Sequence, residues 1–134
     1  KWFMLLLLVA FTAGCKKVIE EPGLIGTCPA VISTDPTNGA VNVNTNKKIT
    51  ATFSEIMDPS TINVTTFTLK QGANQVSGTV TYSGTTATFT PAGPLAANTV
   101  YTGTITTGAK NPAKTALAAD YVWSFNTGAV PIVV

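Results

Sequence analysis

From Lys48 to Phe53 the chain alternates without a break: Ile49, Ala51 and Phe53 fall on one side, Lys48, Thr50 and Thr52 on the other. A period of two is the mark of a strand with one face in a core. The same alternation recurs in short segments separated by turn residues. Ala30 to Ser33 predicts a first, edge-type strand, halted by Asp35-Pro36 and the Asn38-Gly39 turn. Phe67 to Lys70 continues with Phe67 and Leu69 inward, and Val76 to Tyr82 and Thr86 to Thr90 flank Ser83-Gly84, a hairpin signal. Thr99 to Thr106 sets Tyr101 and Ile105 against Thr102, Thr104 and Thr106, and Tyr121 to Phe125 turns Tyr121, Trp123 and Phe125 inward. Short strands at this spacing predict an all-β sandwich of about seven strands. Its expected core is Ile49, Phe53, Phe67, Leu69, Val80, Tyr82, Phe89, Tyr101, Ile105, Trp123 and Phe125.

One segment resists this pattern. In Ser54 to Ile62, Asp58 is a natural N-cap and Pro59 suits a first helical position, so a single helical turn is expected, with Met57 and Ile62 plugging an open end of the sandwich. No long helical periodicity occurs, which excludes α/β architectures.

Composition narrows the chemistry. The 134 residues are 45% hydrophobic and only 10% charged, against about a quarter charged in an ordinary domain. The polar surface must therefore be built from uncharged groups, chiefly Thr, a strand former. All eight basic residues are Lys, and the net charge is +2. Without an Arg fork or a basic cluster, nucleic-acid binding has no support. The absence of His removes Ser-His-Asp and Cys-His nucleophile systems and His-ligated metals. Two cysteines cannot make an all-thiolate zinc site. No cofactor is expected.

Trp2 to Phe11 is an unbroken apolar run followed by Thr12-Ala13-Gly14-Cys15. It is too short to span a bilayer, which takes about 20 residues, and suits a secretory signal. Small residues before Cys15 resemble the lipobox of bacterial lipoproteins, in which the cysteine becomes the acylated first residue. Thr12 departs from the usual Leu of that motif. A disulfide with Cys28 and an ordinary cleaved signal are the alternatives for Cys15. Lys16-Lys17 and Glu20-Glu21 form a charged tether that resembles the surface-export signal of Bacteroidetes lipoproteins. The expected organisation is a signal peptide over 1–14, a tether over 15–28, the sandwich over 29–128, and a linker or second repeat from 129 to 134. Val130-Pro131-Ile132-Val133-Val134 resembles Cys28-Pro29-Ala30-Val31-Ile32, and the lack of an initial Met makes a longer parent polypeptide the expectation.

The strings Pro29 to Pro36, Asn38-Gly39-Ala40, Thr50 to Glu55, Met57 to Ile62 and Tyr121 to Phe125 together closely resemble the bacterial Ig-like domain of the SbsA type. That resemblance implies an immunoglobulin-like sandwich used as a spacer in surface-layer proteins, adhesins and secreted enzymes. Lys110 to Thr115 replaces the acidic loop frequent before the last strand of such domains, so no metal role carries over from it. With its lipoprotein-like leader, the chain also looks like the front part of ice-binding-like proteins, whose β-helical domain follows downstream.

The remaining candidates are few. A glycosidase needs two carboxylates at a fixed short separation, and Glu55 and Asp58 are the only close pair, in positions that a turn and a cap explain. With the Asn111 loop they are also the weak calcium candidates. Threonines in Thr-x-Thr spacing (50 and 52; 79 and 81; 86, 88 and 90; 102, 104 and 106) place hydroxyls on common strand faces, an array that could order water and bind ice. Sheet twist works against a planar match. Trp123 is in phase with the core and so unsuited to stacking on sugar, and Tyr101 resembles a tyrosine corner. The favoured expectation is a non-catalytic, monomeric surface module, held at the membrane by Cys15 and presenting a downstream domain such as an ice-binding-like β-helix or an adhesin. The alternative is a binding module for ice, calcium or carbohydrate.

Overall fold

The computed structural model describes residues 28–129. The apolar leader, Cys15 and its tether, and the Val130–Val134 tail lie outside the described residues.

Among the described residues, nine strands form two packed sheets. The first sheet has the order β1 (Val31–Asp35), β3 (Ile49–Phe53), β7 (Thr86–Pro91), β6 (Gly78–Ser83), and all its pairings are antiparallel. The second has the order β2 (Ala40–Val43), β9 (Tyr121–Thr127), β8 (Val100–Ile105), β4 (Phe67–Gln71), β5 (Asn74–Gln75). Within the second sheet only β2 and β9 run parallel. One stretch of chain thus begins on the edge of the first sheet as β1, bends at the cis Asp35–Pro36 peptide, and finishes on the edge of the second as β2.

Two strands beyond the expected seven account for the difference in number. In β2 the alternation is broken because Asn42 takes a left-handed conformation, φ 56°, and the register with β9 shifts between Ala40 and Val43. β5 has two polar residues and no apolar alternation to betray it. The segment expected as one strand from Val76 is divided: Val76 N–H donates to Leu69 O at 2.8 Å in the second sheet, and β6 begins in the first at Gly78.

The inner faces carry the apolar half of each alternation. Ile49, Ala51 and Phe53 from β3 with Ala87 and Phe89 from β7 meet Phe67 and Leu69 from β4, Tyr101 and Ile105 from β8, and Trp123 and Phe125 from β9, all buried. Aromatic rings close the gap between the sheets, with Phe67 of the second sheet against Phe89 of the first at a 5.8 Å centroid separation and beside Trp123 of its own sheet at 6.0 Å. Val80 and Tyr82, expected in the core, pack against it only half-buried, because β6 is an edge strand with a single neighbour. Gly103 has a steric reason: a Cβ there would stand 2.8 Å from the Trp123 indole, so the ring lies across bare backbone.

The two ends of the sandwich differ. Val31 pairs with Phe53 and Tyr121 with Ile105 at one end, where Asp58 N–H donates to Lys110 O at 2.8 Å to join the two large loops. Ala30 reaches this N-terminal pole and exchanges bonds with Ser54. At the other end β9 finishes beside β2 and the Leu95–Thr99 segment, with Gly128 N–H donating to Val43 O and Asn98 N–H to Gly128 O. The chain therefore enters at one pole and leaves at the opposite one.

Candidate functional site

Glu55 and Asp58 sit in the N-terminal-pole loops, and the geometry of Asp58 follows from local sequence. Asp58 caps a single 3-10 turn, Pro59–Thr61. Its Oδ1 accepts from the Ser60 backbone N–H at 3.0 Å and from the Ser60 hydroxyl at 2.9 Å. These two bonds, backbone first, hold its carboxyl below the ordinary value of 3.8, with a smaller contribution from the Lys114 charge. Pro59 opens the turn, as the sequence leads one to expect.

Glu55 turns to a different partner. Its Oε2 accepts from Asn111 Nδ2 at 2.9 Å, and Asn111 Oδ1 in turn accepts from Thr115 N–H at 2.9 Å. The approach of Glu55 to the Asn111 loop is thus real, but its contact is a side-chain amide donor rather than a convergence of oxygens. Asp58 Oδ1 is committed to Ser60, and the Lys114 charge acts on the same carboxyl. Among the described residues no group of three or more acidic, Cys or His side chains could hold a metal. Each carboxylate of this pair is tied to a protein donor, Asp58 to Ser60 and Glu55 to Asn111.

Met57 and Ile62 are buried beneath these loops and close that end of the core. Met57 N–H donates to the Tyr82 hydroxyl at 2.7 Å. At the opposite pole Ala96 N–H donates to the buried Tyr101 hydroxyl, also at 2.7 Å. Tyr101 therefore makes the backbone bond of a tyrosine corner. The matching role of Tyr82 left no signal in sequence, since its partner lies 25 positions away.

The C-terminal pole has a shallow, open depression of about 230 Å³, lined by Thr45, Asn46, Thr90, Pro91, Gly93 and Pro94. It contains no ionisable or aromatic side chain, so it offers shape without chemistry.

The threonine rows assemble mainly on the outer face of the first sheet. Cross-strand pairs put Thr50 beside Thr88, Thr88 beside Thr81, Thr52 beside Thr86, and Thr90 beside Thr79. Ser33 and Asp35 extend two of these rows onto β1. The hydroxyls also serve one another, as where Thr52 Oγ1 and Thr86 Oγ1 stand 3.4 Å apart. On the second sheet the face is interrupted by exposed Val100 and Val122 and by Lys70. Trp123 is 1% exposed and unavailable to any sugar ring.

Cys28 is half-buried and disulfide-bonded, and its partner lies outside the described residues.

Two antiparallel-rich sheets with a switched first strand and a tyrosine corner define an immunoglobulin-like sandwich. The bacterial Ig-like domain family matches residues 26–127, and the chain belongs to that family. Among solved structures it is similar to the N-terminal part of the bacterial S-layer protein SbsC, at 20% identity and a TM-score of 0.59, over 76% of this chain and 24% of that one. It is also similar to CopC from Methylosinus trichosporium OB3b (9% identity, TM-score 0.64, 79% of this chain and 99% of that one). An LD-transpeptidase, LdtMt1, shares the fold at 18% identity with a TM-score of 0.53, over 76% of this chain and 41% of that one. At these identities the likeness is one of fold. The chain spans about a quarter of the SbsC part it matches. No curated protein matches it.

Proposed function

We propose that this chain is a non-catalytic spacer of an exported cell-surface lipoprotein, holding a following domain of the same polypeptide away from the membrane. The observation that carries this reading is that the described segment, residues 28–129, begins and ends at opposite poles of the sandwich. A domain threaded in this way adds its own length to a stalk. Seven residues of β9 alone span about 23 Å at the strand rise. The family and the surface-layer protein that shares the fold support a surface location.

The membrane end of the proposal rests on Thr12-Ala13-Gly14-Cys15, with lipid on Cys15. The sequence holds one other cysteine, Cys28, and lipid on Cys15 requires that the disulfide at Cys28 be absent from the mature, anchored protein. One sulfur cannot carry both a thioether and a disulfide, so the two fates of Cys15 exclude each other. Mass spectrometry of membrane-extracted protein separates them: an acylated N-terminal peptide supports the anchor, and a Cys15–Cys28 linked peptide removes it.

The spacer reading itself is tested by melting the protein with calcium and with a glycan panel, and by following ice growth in its presence. No shift and no hysteresis are expected. A reproducible ligand-dependent rise in Tm, or shaped ice crystals, would replace the spacer with a binding module.

A further inference from the structure

An open sheet ends in two edges, and each edge offers unpaired backbone donors and acceptors to any other strand. We propose that β6 is a docking edge and that its partner is the β6 of a second copy of this chain, paired antiparallel about a two-fold axis through Val80. The inference goes beyond the spacer reading and does not depend on it.

Of the four sheet edges among the described residues, three are blunted. On β1 the register with β3 shifts between Val31 and Ser33, the strand ends at the cis Asp35–Pro36 peptide, and Asp35 is paired with Lys47. β2 is turned out of line at Asn42 and shifts against β9. β5 is two residues long. β6 has none of these devices: its six residues pair one for one with β7, with no shift and no proline. From Gln71 to Ala109 the sequence has no charged residue. No lysine or carboxylate therefore guards this edge, where sheets ordinarily carry one against pairing with other chains. A second copy brings the same neutral strand and meets no repulsion.

The free groups of β6 follow from the ones already used. Ala92 N–H donates to Ser77 O at 2.9 Å, and hydrogen-bonded pairs alternate with non-bonded pairs along an antiparallel ladder. Thr79, Thr81 and Ser83 therefore direct their backbone groups at β7, whereas Gly78, Val80 and Tyr82 turn theirs to the open side. Among the described residues no backbone bond reaches them there. A two-fold axis at Val80 sets Gly78 against Tyr82 of the second copy and Val80 against its own equivalent, so every one of these groups finds a partner. The side chains fit the same register. Val80 and Tyr82 are only half-buried against the core, and the added strand covers them. The Tyr82 ring meets a residue with no side chain, the pairing by which an aromatic covers an edge glycine. On the outer face Thr79 stands across from Thr81 of the second copy, and such cross-strand threonine pairs are favourable. The hydroxyl rows thus continue over the seam.

Disulfide cross-linking reads both the contact and its register. Full chains in detergent micelles carry Cys15→Ser and Cys28→Ser, so that an introduced thiol is the only one. Across the proposed seam the Cα atoms of Thr79 and Thr81 lie about 4.5 Å apart, within disulfide reach. The two Thr79 Cα atoms lie about 8 Å apart, beyond it. A mixture of Thr79→Cys and Thr81→Cys chains, mildly oxidised at about 0.1 mM, should give at least about fivefold more linked dimer than either variant alone. Val80→Pro in both partners removes an edge N–H that β7 does not use, and should cut the mixed yield to the level of the single variants. Ser77→Lys with Ser83→Lys, both at exposed positions, should do the same without touching the core, because it sets lysines opposite one another across the seam. Equal yields alone and mixed, as association through the apolar Trp2–Phe11 run would produce, overturn the proposal. So does a linked dimer that survives both blocks. The absence of any linked dimer overturns it as well and leaves the monomer expected from sequence. None of these outcomes touches the spacer reading, whose own test is the melting screen.

Discussion

At the scale of single residues, Trp123 and Asp58 show how differently two side chains depend on their surroundings. The Trp123 indole is almost wholly buried, touches Phe67 and Tyr121, and lies over Gly103. Trp123→Ala should leave a cavity and cost about 3–5 kcal/mol, enough to unfold much of a domain of marginal stability. Denaturant melts read this as a lower midpoint at an unchanged slope, and a midpoint close to the parent's would place the indole outside the core. The indole Nε1 is buried with no hydrogen-bond partner among the described residues. Trp123→Phe discards that donor together with part of the ring, so its cost should fall well below that of the alanine variant. Asp58 works through charge instead. Its carboxyl is depressed by the Ser60 bonds, so the anion is favoured in the folded state. Its contribution is complete above the unfolded value of 3.8 and disappears as pH falls below that through the lowered folded value. Asp58→Asn should therefore flatten the acid limb of a Tm-against-pH curve in that window and leave the neutral plateau's shape alone. A parallel acid limb in the variant would show that Ser60 does not favour the anion.

Elements are held in place by a few long-range polar contacts that the alternation pattern does not encode. Tyr101 fixes the Leu95–Thr99 turn through Ala96 N–H, and Tyr82 fixes the Met57 loop at the other pole. Tyr101→Phe and Tyr82→Phe each keep the ring and remove the acceptor, and each should cost about 1 kcal/mol. The sites have no shared partner, so the double variant should show the sum of the two losses. A marked departure from additivity would couple the poles through the core. What was legible in sequence follows the same division. Strands with an apolar half, such as β3, β8 and β9, announce themselves because burial enforces a period of two. β2 does not, since Asn42 reverses its backbone and breaks the period. β5 does not either, since two polar residues carry no period at all. The carboxylate pair was legible as turn and cap chemistry from Asp58-Pro59 alone. That Glu55 would meet Asn111, 56 positions away, depended on tertiary folding of two loops and left no local trace.

At the scale of the whole molecule, the scarcity of charge becomes a physical property. The protein carries a net charge of +2, and one ion pair, Lys47–Asp35, is found among the described residues. Its side chains are 37% and 62% exposed, so it is open to screening and contributes little. The polar surface consists instead of neutral hydroxyls arranged in cross-strand rows, and their interactions with water and with one another carry no net charge for ions to screen. Stability should then be nearly indifferent to ionic strength. Between about 0.05 and 0.5 M sodium chloride the Debye length falls severalfold, yet Tm should move by no more than about 2 °C. Lys47→Ala should behave in the same way, because removing an exposed pair from such a surface removes almost nothing. A Tm that fell steeply with salt would mean that attractive charge pairs outside residues 28–129 help hold the fold, and a steep rise would mean that repulsion among the lysines opposes it. A flat response in both proteins would trace stability to the aromatic core and the neutral hydroxyl surface rather than to charge.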